Sequence, residues 1–198
     1  GNYLSKSGYF GYGGWYFYRT GWQDGVESND VMFEFYSGKF FGGHNQDDKN
    51  HFTLYEGSSL FFTDSGPTTS DDLYYQTEYH SLILVDGIGQ IPQVSGCGSD
   101  GNITDYFYSS GVDFLTGDNS YTYSDYSSYN DGSSWCTSEN YNPVEKSERE
   151  VLVVKDFFGK PYFLILDDIK KDSSIKDYSL KLQNAISTIY TFDDPINL

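Results

Sequence analysis

The chain has 198 residues, which is enough for one sizeable hydrophobic core and too few for two. It carries 12 Lys and Arg residues against 29 Asp and Glu residues, a formal net charge of −17. Nucleic acids and anionic membranes bind clustered cations, so this charge argues against both as partners. No run of about 18 apolar residues predicts a membrane-spanning helix, and no basic segment followed by an apolar run resembles a signal peptide.

Strand patterns dominate the first third of the chain. Glycines and aromatic residues fill residues 8–19, which predicts strand structure that the glycines bend or bulge. Residues 31–36 alternate in the manner of a half-buried strand. Residues 52–55 and 60–63 predict two strands joined by a hairpin turn.

The middle of the chain is richer in loops. Residues 81–86 predict a short apolar strand that ends at Gly87. Residues 95–142 abound in Gly, Ser, Asp, Asn and Tyr, and we expect strands at 106–108, 112–115 and 121–126. The tyrosines of residues 121–129 have two interpretations: rings that stack on sugars, or exposed tyrosines of an ordinary sheet, which is the commoner case.

Regular strands return near the end of the chain. Residues 150–156 and 162–168 predict a hairpin that turns at 159–161, and residues 178–182 alternate as a further strand. No stretch has a sustained helical period, and no strand–helix–strand spacing occurs. The sequence therefore predicts an all-β fold, an antiparallel two-sheet β-sandwich with long Gly/Ser/Tyr-rich loops, as a single domain over residues 1–198.

Two kinds of residue in these segments invite a chemical role. Cys97 and Cys136 lie in Gly-rich and Ser-rich loops, where they either pair, as in an extracellular protein, or stay as free thiols. The three histidines, His44, His51 and His80, all fall between residues 42 and 90. His44 follows two glycines, which allow close approach of the backbone to a ligand, but which also suit a turn histidine with no role.

Several short motifs follow one another in the order of a known family. They are YRTGW at 18–22, GHNQDD at 43–48 with the strand at 52–55, TDSG at 63–66, HSLILVDGIGQ at 80–90, and Arg149 with the EVLVVKD and YFLILDD strands. In this order they resemble the C-terminal β-sandwich of the heparinase II/III-like polysaccharide lyases. The resemblance covers roughly residues 14 to 185.

The resemblance implies that the chain is one part of a larger, secreted or periplasmic lyase. In such lyases an N-terminal α/α toroid supplies most catalytic residues, and the sandwich closes one wall of the cleft. The implied substrate is an acidic polysaccharide, cleaved by β-elimination at a uronic acid. The isolated domain is then not expected to be active. The negative charge of the chain favours a uronate polymer over a heavily sulfated one.

The resemblance also assigns roles to residues on the cleft side. His44 matches a histidine at the cleft edge of similar lyases, where it would act as acid/base or as partner of the substrate carboxylate. Arg19 is a candidate for substrate binding, although a structural role in a buried ion pair or in stacking is the more common one for such an arginine.

A metal site is implied further along. Some similar lyases hold a zinc ion through three residues, and Asp64 and His80 match two of them, whereas Gln46 stands at the third position. Glutamine is a poor zinc ligand, so Asp47 or Asp48 could substitute, or a harder ion with oxygen ligands could bind. Without metal, Asp64 and His80 would form a hydrogen-bonded polar pair.

Other interpretations stay open at this point. His51 lies outside both groups and is expected to be an ordinary strand or turn residue. The whole chain could be a non-catalytic carbohydrate-binding or scaffolding module that uses tyrosine faces, or a lyase homologue that has lost activity, which Gln46 in a ligand position would suit.

Overall fold

The computed structural model describes residues 5–22, 29–41, 45–64, 72–92, 97–124, 129–130, 141–157 and 160–184. Its regular elements are strands and short 3₁₀ helices. The strands are β1 (Ser7–Phe10), β2 (Trp15–Arg19), β3 (Val31–Tyr36), β4 (His51–Glu56), β5 (Ser59–Phe62), β6 (Ile83–Val85), β7 (Cys97–Gly98), β8 (Asn102–Tyr108), β9 (Val112–Asp118), β10 (Tyr129–Asn130), β11 (Lys146–Phe157), β12 (Lys160–Lys170) and β13 (Tyr178–Leu180). The 3₁₀ helices are Asp72–Tyr75, Thr77–Tyr79 and Ser120–Tyr123.

The first sheet is a sequential antiparallel meander in the order β1-β2-β3-β4-β5. Side chains alternate between its two faces, so every second residue points to the core. On β3, Val31, Phe33 and Phe35 are buried, whereas Met32 and Glu34 of the opposite face are partly exposed.

The second sheet has the order β12-β11-β9-β8 and is also antiparallel. The long strand β11 lies between β9 and β12, and its Val151 and Val153 are fully buried. Two short antiparallel pairs, β13 with β6 and β10 with β7, complete the strand pairing of the described residues.

The core lies between these two sheets. Residues of both sheets form one buried cluster: Tyr16, Tyr18, Phe33, Phe35, Phe52, Ile103, Leu115, Val151 and Val153. Aromatic rings contribute much of it, with Phe33 stacked between Phe52 at 5.9 Å and Phe163 at 4.8 Å. The predicted all-β, antiparallel two-sheet fold is confirmed.

Most predicted strands occur where the alternation placed them, but two differ. Residues 8–19 form a hairpin of β1 and β2 rather than one bent strand. Gly14 has φ 66° in the turn, and a Cβ there would collide with the carbonyl oxygen of Ser37, so only glycine fits.

The second difference is the strand predicted at 121–126, which is wrong over residues 121–124, whereas residues 125 and 126 lie outside the described residues. Residues Ser120–Tyr123 form a 3₁₀ helix instead. The carboxylate of Asp118 accepts hydrogen bonds from the backbone N–H and the hydroxyl of Ser120, and the Thr122 hydroxyl donates to the carbonyl of Asn119. Such local side-chain bonds favour a turn over a sheet ladder.

Two further expectations concern the cysteines and a membrane-spanning helix. Cys136 and the side chain of Cys97 lie outside the described residues, so their pairing stays untested. Among the described residues, no helix is long and apolar enough to cross a membrane.

Candidate functional site

Two histidines and one aspartate lie close together at the start of β4. His51 is the first residue of β4, Asp64 follows the end of β5, and His80 follows the 3₁₀ helix Thr77–Tyr79. One ligand atom from each lies within 4.8 Å of the others. The ring centroids of His51 and His80 are 5.1 Å apart, with the rings edge to face. We call these three residues the histidine cluster.

His51 has a defined proton position. Its Nδ1 accepts a hydrogen bond of 2.9 Å from the backbone N–H of Ser81. In the neutral ring the proton therefore lies on Nε2. That nitrogen is buried and makes no hydrogen bond among the described residues. Burial lowers the pKa of His51 well below its usual value, and the nearby charges of His80 and Arg149 lower it further.

His80 is fully buried, and neither of its ring nitrogens makes a hydrogen bond of normal geometry within the described residues. Burial lowers its pKa, while Asp48 and Asp64 oppose this shift. Nδ1 of His80 lies 3.7 Å from Oδ1 of Asp64, beyond hydrogen-bond distance. The direct hydrogen-bonded pair expected in the absence of metal is therefore not formed.

Asp48 is the aspartate that faces this cluster. Burial raises the pKa of its carboxyl group, and the charges of Lys49 and His80 oppose the shift. Lys49 is itself fully buried, with Nζ 3.6 Å from the Asp48 carboxylate and 2.9 Å from the Tyr36 hydroxyl. Oε1 of Gln46 is buried and has no hydrogen-bond partner in the part of the chain that the structure describes.

Arg149 connects the backbone segments that carry the two histidines. Its Nη1 donates to the carbonyl of Asn50 at 2.8 Å and to the carbonyl of Ser81 at 2.6 Å. Asn50 directly precedes His51, and Ser81 directly follows His80. One guanidinium nitrogen thus binds both segments and fixes their spacing.

Asn50 itself is held in a left-handed conformation, with φ 71°. Its side-chain Nδ2 donates to the carbonyl of Gly117 and to Oδ1 of Asn119. The amide of Asn119 in turn donates to the carbonyl of Lys49, and the Gln90 side chain exchanges two hydrogen bonds with the Lys49 backbone. Buried amide groups therefore position the start of β4.

The other residues predicted for a site lie elsewhere. His44 falls outside the described residues. Arg19 lies on the outer face of the first sheet, where its guanidinium carbon is 4.4 Å from the centre of the Trp22 ring. Arg19 is opposite Met32, and Met32 is opposite Tyr55 of β4. Tyr55 lies four residues, about 13 Å, along β4 from His51, and Arg19 lies two strands further across the sheet, away from the histidine cluster. The stacking role expected for Arg19 is present.

His51 is the residue that sequence reasoning missed. On β4 it shares a face with Thr53 and Tyr55, which is the ordinary polar alternation of a half-buried strand. This pattern does not indicate that His51 lies near His80, because their proximity depends on how residues 72–82 pack over the sheet. The motifs that contain Asp64 and His80, by contrast, predict that these two residues belong to one site.

The residues of the histidine cluster are of the types that could hold a metal ion or exchange a proton. The imidazole of His80 and the carboxylate of Asp64 are donors that a divalent ion takes in proteins. Asp64 is 38% exposed, so the histidine cluster reaches solvent on that side.

No protein-family model and no curated protein sequence matches the chain. Solved structures do. A heparinase III has a TM-score of 0.58 at 17% identity, with 84% of this chain and 22% of that chain covered. Heparan sulfate lyase HepC from Pedobacter heparinus has a TM-score of 0.55 at 20% identity, with 82% of this chain and 22% of that chain covered.

The chain therefore spans about a fifth of the length of these lyases. At such low identity the likeness concerns the fold. The fold expected from the motifs is confirmed: the chain has a fold similar to part of a heparinase III and of heparan sulfate lyase HepC.

Proposed function

We propose that this chain is the β-sandwich domain of a polysaccharide lyase that cleaves a uronic-acid-containing polysaccharide by β-elimination. The observation that carries the proposal is the fold match, because more than four-fifths of this chain matches a part of heparinase III and of heparan sulfate lyase HepC. In the parent protein the domain would form one wall of the cleft, with an α/α toroid as the other part. Such a protein would be secreted or periplasmic.

In β-elimination the C5 proton of the uronate is removed, negative charge develops on the carboxylate, and the 4-linked sugar leaves. The reaction needs a base, an acid for the leaving oxygen, and donors for the carboxylate. We assign His44 to proton transfer or carboxylate contact. Arg19 would bind substrate, and its permanent charge suits a carboxylate.

The substrate class follows from charge. The chain carries a net charge of −17, which disfavours close contact with a heavily sulfated polymer. A uronate polymer with few sulfate groups fits better.

The role of His44 is tested in the parent protein by substitution. We expect His44→Ala to lower the rate of unsaturated product formation by about 100-fold or more, the usual contribution of a general acid or base. The control is Lys170→Gln, an exposed lysine of β12 paired with Glu145. Equal rates for His44→Ala and the control would remove His44 from the mechanism.

The histidine cluster fits a structural divalent ion in part. His80 offers a buried imidazole, and Asp64 offers a carboxylate. His51 does not fit in its present hydrogen bonding, because the Ser81 N–H occupies the lone pair of Nδ1 and the proton occupies Nε2. The third donor would be the buried side-chain oxygen of Gln46. Because this ligand is an oxygen, the candidates are zinc and a harder ion that prefers oxygen ligands. Such an ion would stabilise the packing of residues 72–82 on the sheet.

A second candidate function is non-catalytic binding of a carbohydrate. It is favoured by exposed aromatic rings on the outer face of the first sheet. The two functions are compatible, since a cleft wall must also bind the polymer.

A further inference from the structure

Exposed aromatic rings gather at one end of the first sheet. Phe10, Tyr12, Trp15 and Phe41 are 59%, 82%, 46% and 57% exposed. Together with Phe17 we call them the aromatic platform. Contiguous exposed rings of this kind on a domain surface mark a binding site more often than single exposed residues do.

The rings of the platform are held in place by one another. Phe10 stacks on Phe17 with centroids 5.8 Å apart, and the ring of Tyr12 lies 5.7 Å from that of Phe41. Phe17 lies over Gly8, where a Cβ would come within 2.6 Å of its ring. The absence of a side chain at Gly8 therefore lets Phe17 lie close to the sheet.

The platform lies at one end of a row of residues that leads across the sheet to the buried His51. Strand register places Phe10, Trp15, Tyr36 and His51 side by side on four neighbouring strands. Three strand spacings make this row about 14 Å long. Trp15 stacks on Tyr36 at 4.4 Å, but Tyr36 and His51 are buried, so the row is open to solvent only at its Phe10 and Trp15 end. Phe41 lies three residues before His44 in sequence.

Basic residues border the platform in a chain that is strongly acidic. Lys6 directly precedes β1, Arg19 ends β2, and Lys39 lies two residues before Phe41. Lys6 and Lys39 are exposed. Glu34 also lies on this face, where it accepts a hydrogen bond from the Thr53 hydroxyl.

We propose that the aromatic platform binds the sugar rings of an acidic glycan; the substrate class rests on the proposed lyase function. The C–H groups on one face of a pyranose carry slight positive charge and pack on the negative face of an aromatic ring. Lys6, Arg19 and Lys39 would contact the carboxylates at the edge of the platform. Trp15 and Tyr12 would supply the stacking surfaces.

A glycan fits this surface better than a protein does. The outer face of the second sheet is also apolar, but it presents the aliphatic side chains Leu164 and Leu166 beside Tyr162. Aliphatic groups suit burial against another protein surface. The platform instead offers rings and cations together, which match the apolar faces and the charges of a uronate chain.

The test is calorimetric titration of the whole 198-residue chain with oligomannuronate and oligogalacturonate, and with a neutral cello-oligosaccharide of equal length. We expect binding of an acidic glycan and weaker binding of the neutral one. Tyr12→Ala and Trp15→Ala should each weaken binding by about three- to tenfold, the worth of one aromatic contact. Tyr108→Ala and Tyr162→Ala are matched controls, because these tyrosines of the second sheet are 68% and 63% exposed.

Several outcomes would overturn the proposal: no binding by the unaltered chain, unchanged binding by Tyr12→Ala and Trp15→Ala, or equal loss in the two controls. Dimerisation in sedimentation that Trp15→Ala abolishes would make the platform a contact between copies instead. Failure of the lyase function is a separate result. Glycan binding without elimination by the parent protein would contradict the lyase function but not glycan binding by the platform. Elimination that is unchanged in platform variants would contradict glycan binding by the platform but not the lyase function.

Discussion

Arg149 and Asp167 form a two-point ion pair between β11 and β12, with Nε 2.6 Å from Oδ1 and Nη2 2.9 Å from Oδ2. The remaining guanidinium nitrogen, Nη1, donates to the carbonyls that flank the two histidines of the cluster. The Arg149 side chain is 2% exposed, so water cannot replace these bonds. A residue of the second sheet thus fixes the geometry of a site on the first.

Replacing Arg149 should therefore destabilise the fold and disturb the histidines. We expect Arg149→Met to lower the free energy of unfolding by about 3–5 kcal/mol, because one partner of a buried pair is removed. Arg149→Lys should recover little of this loss, since an ammonium group cannot reproduce the planar two-point contact. Urea denaturation measures both.

Nitrogen NMR of the histidine rings adds a signal specific to the site. In the unaltered protein we expect a neutral His51 with its proton on Nε2, and in Arg149→Met a mixture of ring forms. The control is Lys170→Gln, which breaks an exposed pair and should leave stability nearly unchanged. An Arg149→Met protein as stable as this control would contradict the role given to Arg149.

Tyr16 and Asp113 form a second buried contact that can be tested. The Tyr16 hydroxyl donates to the Asp113 carboxylate at 2.8 Å, and both residues are fully buried. Tyr16→Phe leaves that carboxylate oxygen without its donor, although Lys155 still pairs with the other oxygen at 2.6 Å. We expect a loss of about 1–3 kcal/mol in urea denaturation.

The same contact predicts a pH dependence at the alkaline end. Burial raises the pKa of Tyr16, and the hydrogen bond and charge of Asp113 raise it further. Above pH about 10 the unfolded chain loses the tyrosine proton while the folded protein keeps it. Stability contributed by Tyr16 is thus complete below pH 10 and is lost as pH rises. Tyr16→Phe should lose stability less steeply there, by up to about 1.4 kcal/mol per pH unit; parallel curves for the two proteins would refute this assignment.

Metal binding separates the roles of the histidines. If Asp64, His80 and Gln46 hold an ion, elemental analysis of the purified protein should find about one per chain, and a chelator should lower the melting temperature. His80→Ala should abolish both results. His51→Phe should keep the ion, because its Nδ1 is bonded to Ser81.

Two results would contradict this arrangement. Loss of the ion in His51→Phe, with a folded protein, would make His51 a ligand and require the Ser81 hydrogen bond to break. Absence of any ion in the unaltered protein, together with no effect of added Zn²⁺, Ca²⁺ or Mn²⁺ on melting, would leave the histidine cluster as a metal-free polar group.

The sequence predicted the fold well where strands alternate. The strand at Val31–Tyr36 and the hairpin of β11 and β12 follow directly from period-two patterns and turn residues. It failed where local side-chain bonds decide the backbone, as at Ser120–Tyr123. The pattern of residues 8–19 predicts strand but not the turn at Gly14, because that turn depends on a close contact with Ser37, the residue that follows β3.

The candidate site was predictable only in part. The motifs paired Asp64 with His80, and the structure brings them together. His51 joins them through strand register and through the fold of residues 72–82, which no local pattern encodes. The role of Arg149 is equally hidden, because its partners lie 18 to 99 residues away in sequence.

The most direct test of the lyase proposal is the ultraviolet absorbance of unsaturated uronate product, measured on low-sulfate uronate polymers. The parent protein that contains this chain should generate the product, and the isolated 198-residue chain should not. An intact parent protein that binds these polymers without generating any unsaturated product would contradict the proposed function, and turnover by the isolated chain would contradict the assignment of most catalytic residues to the other domain.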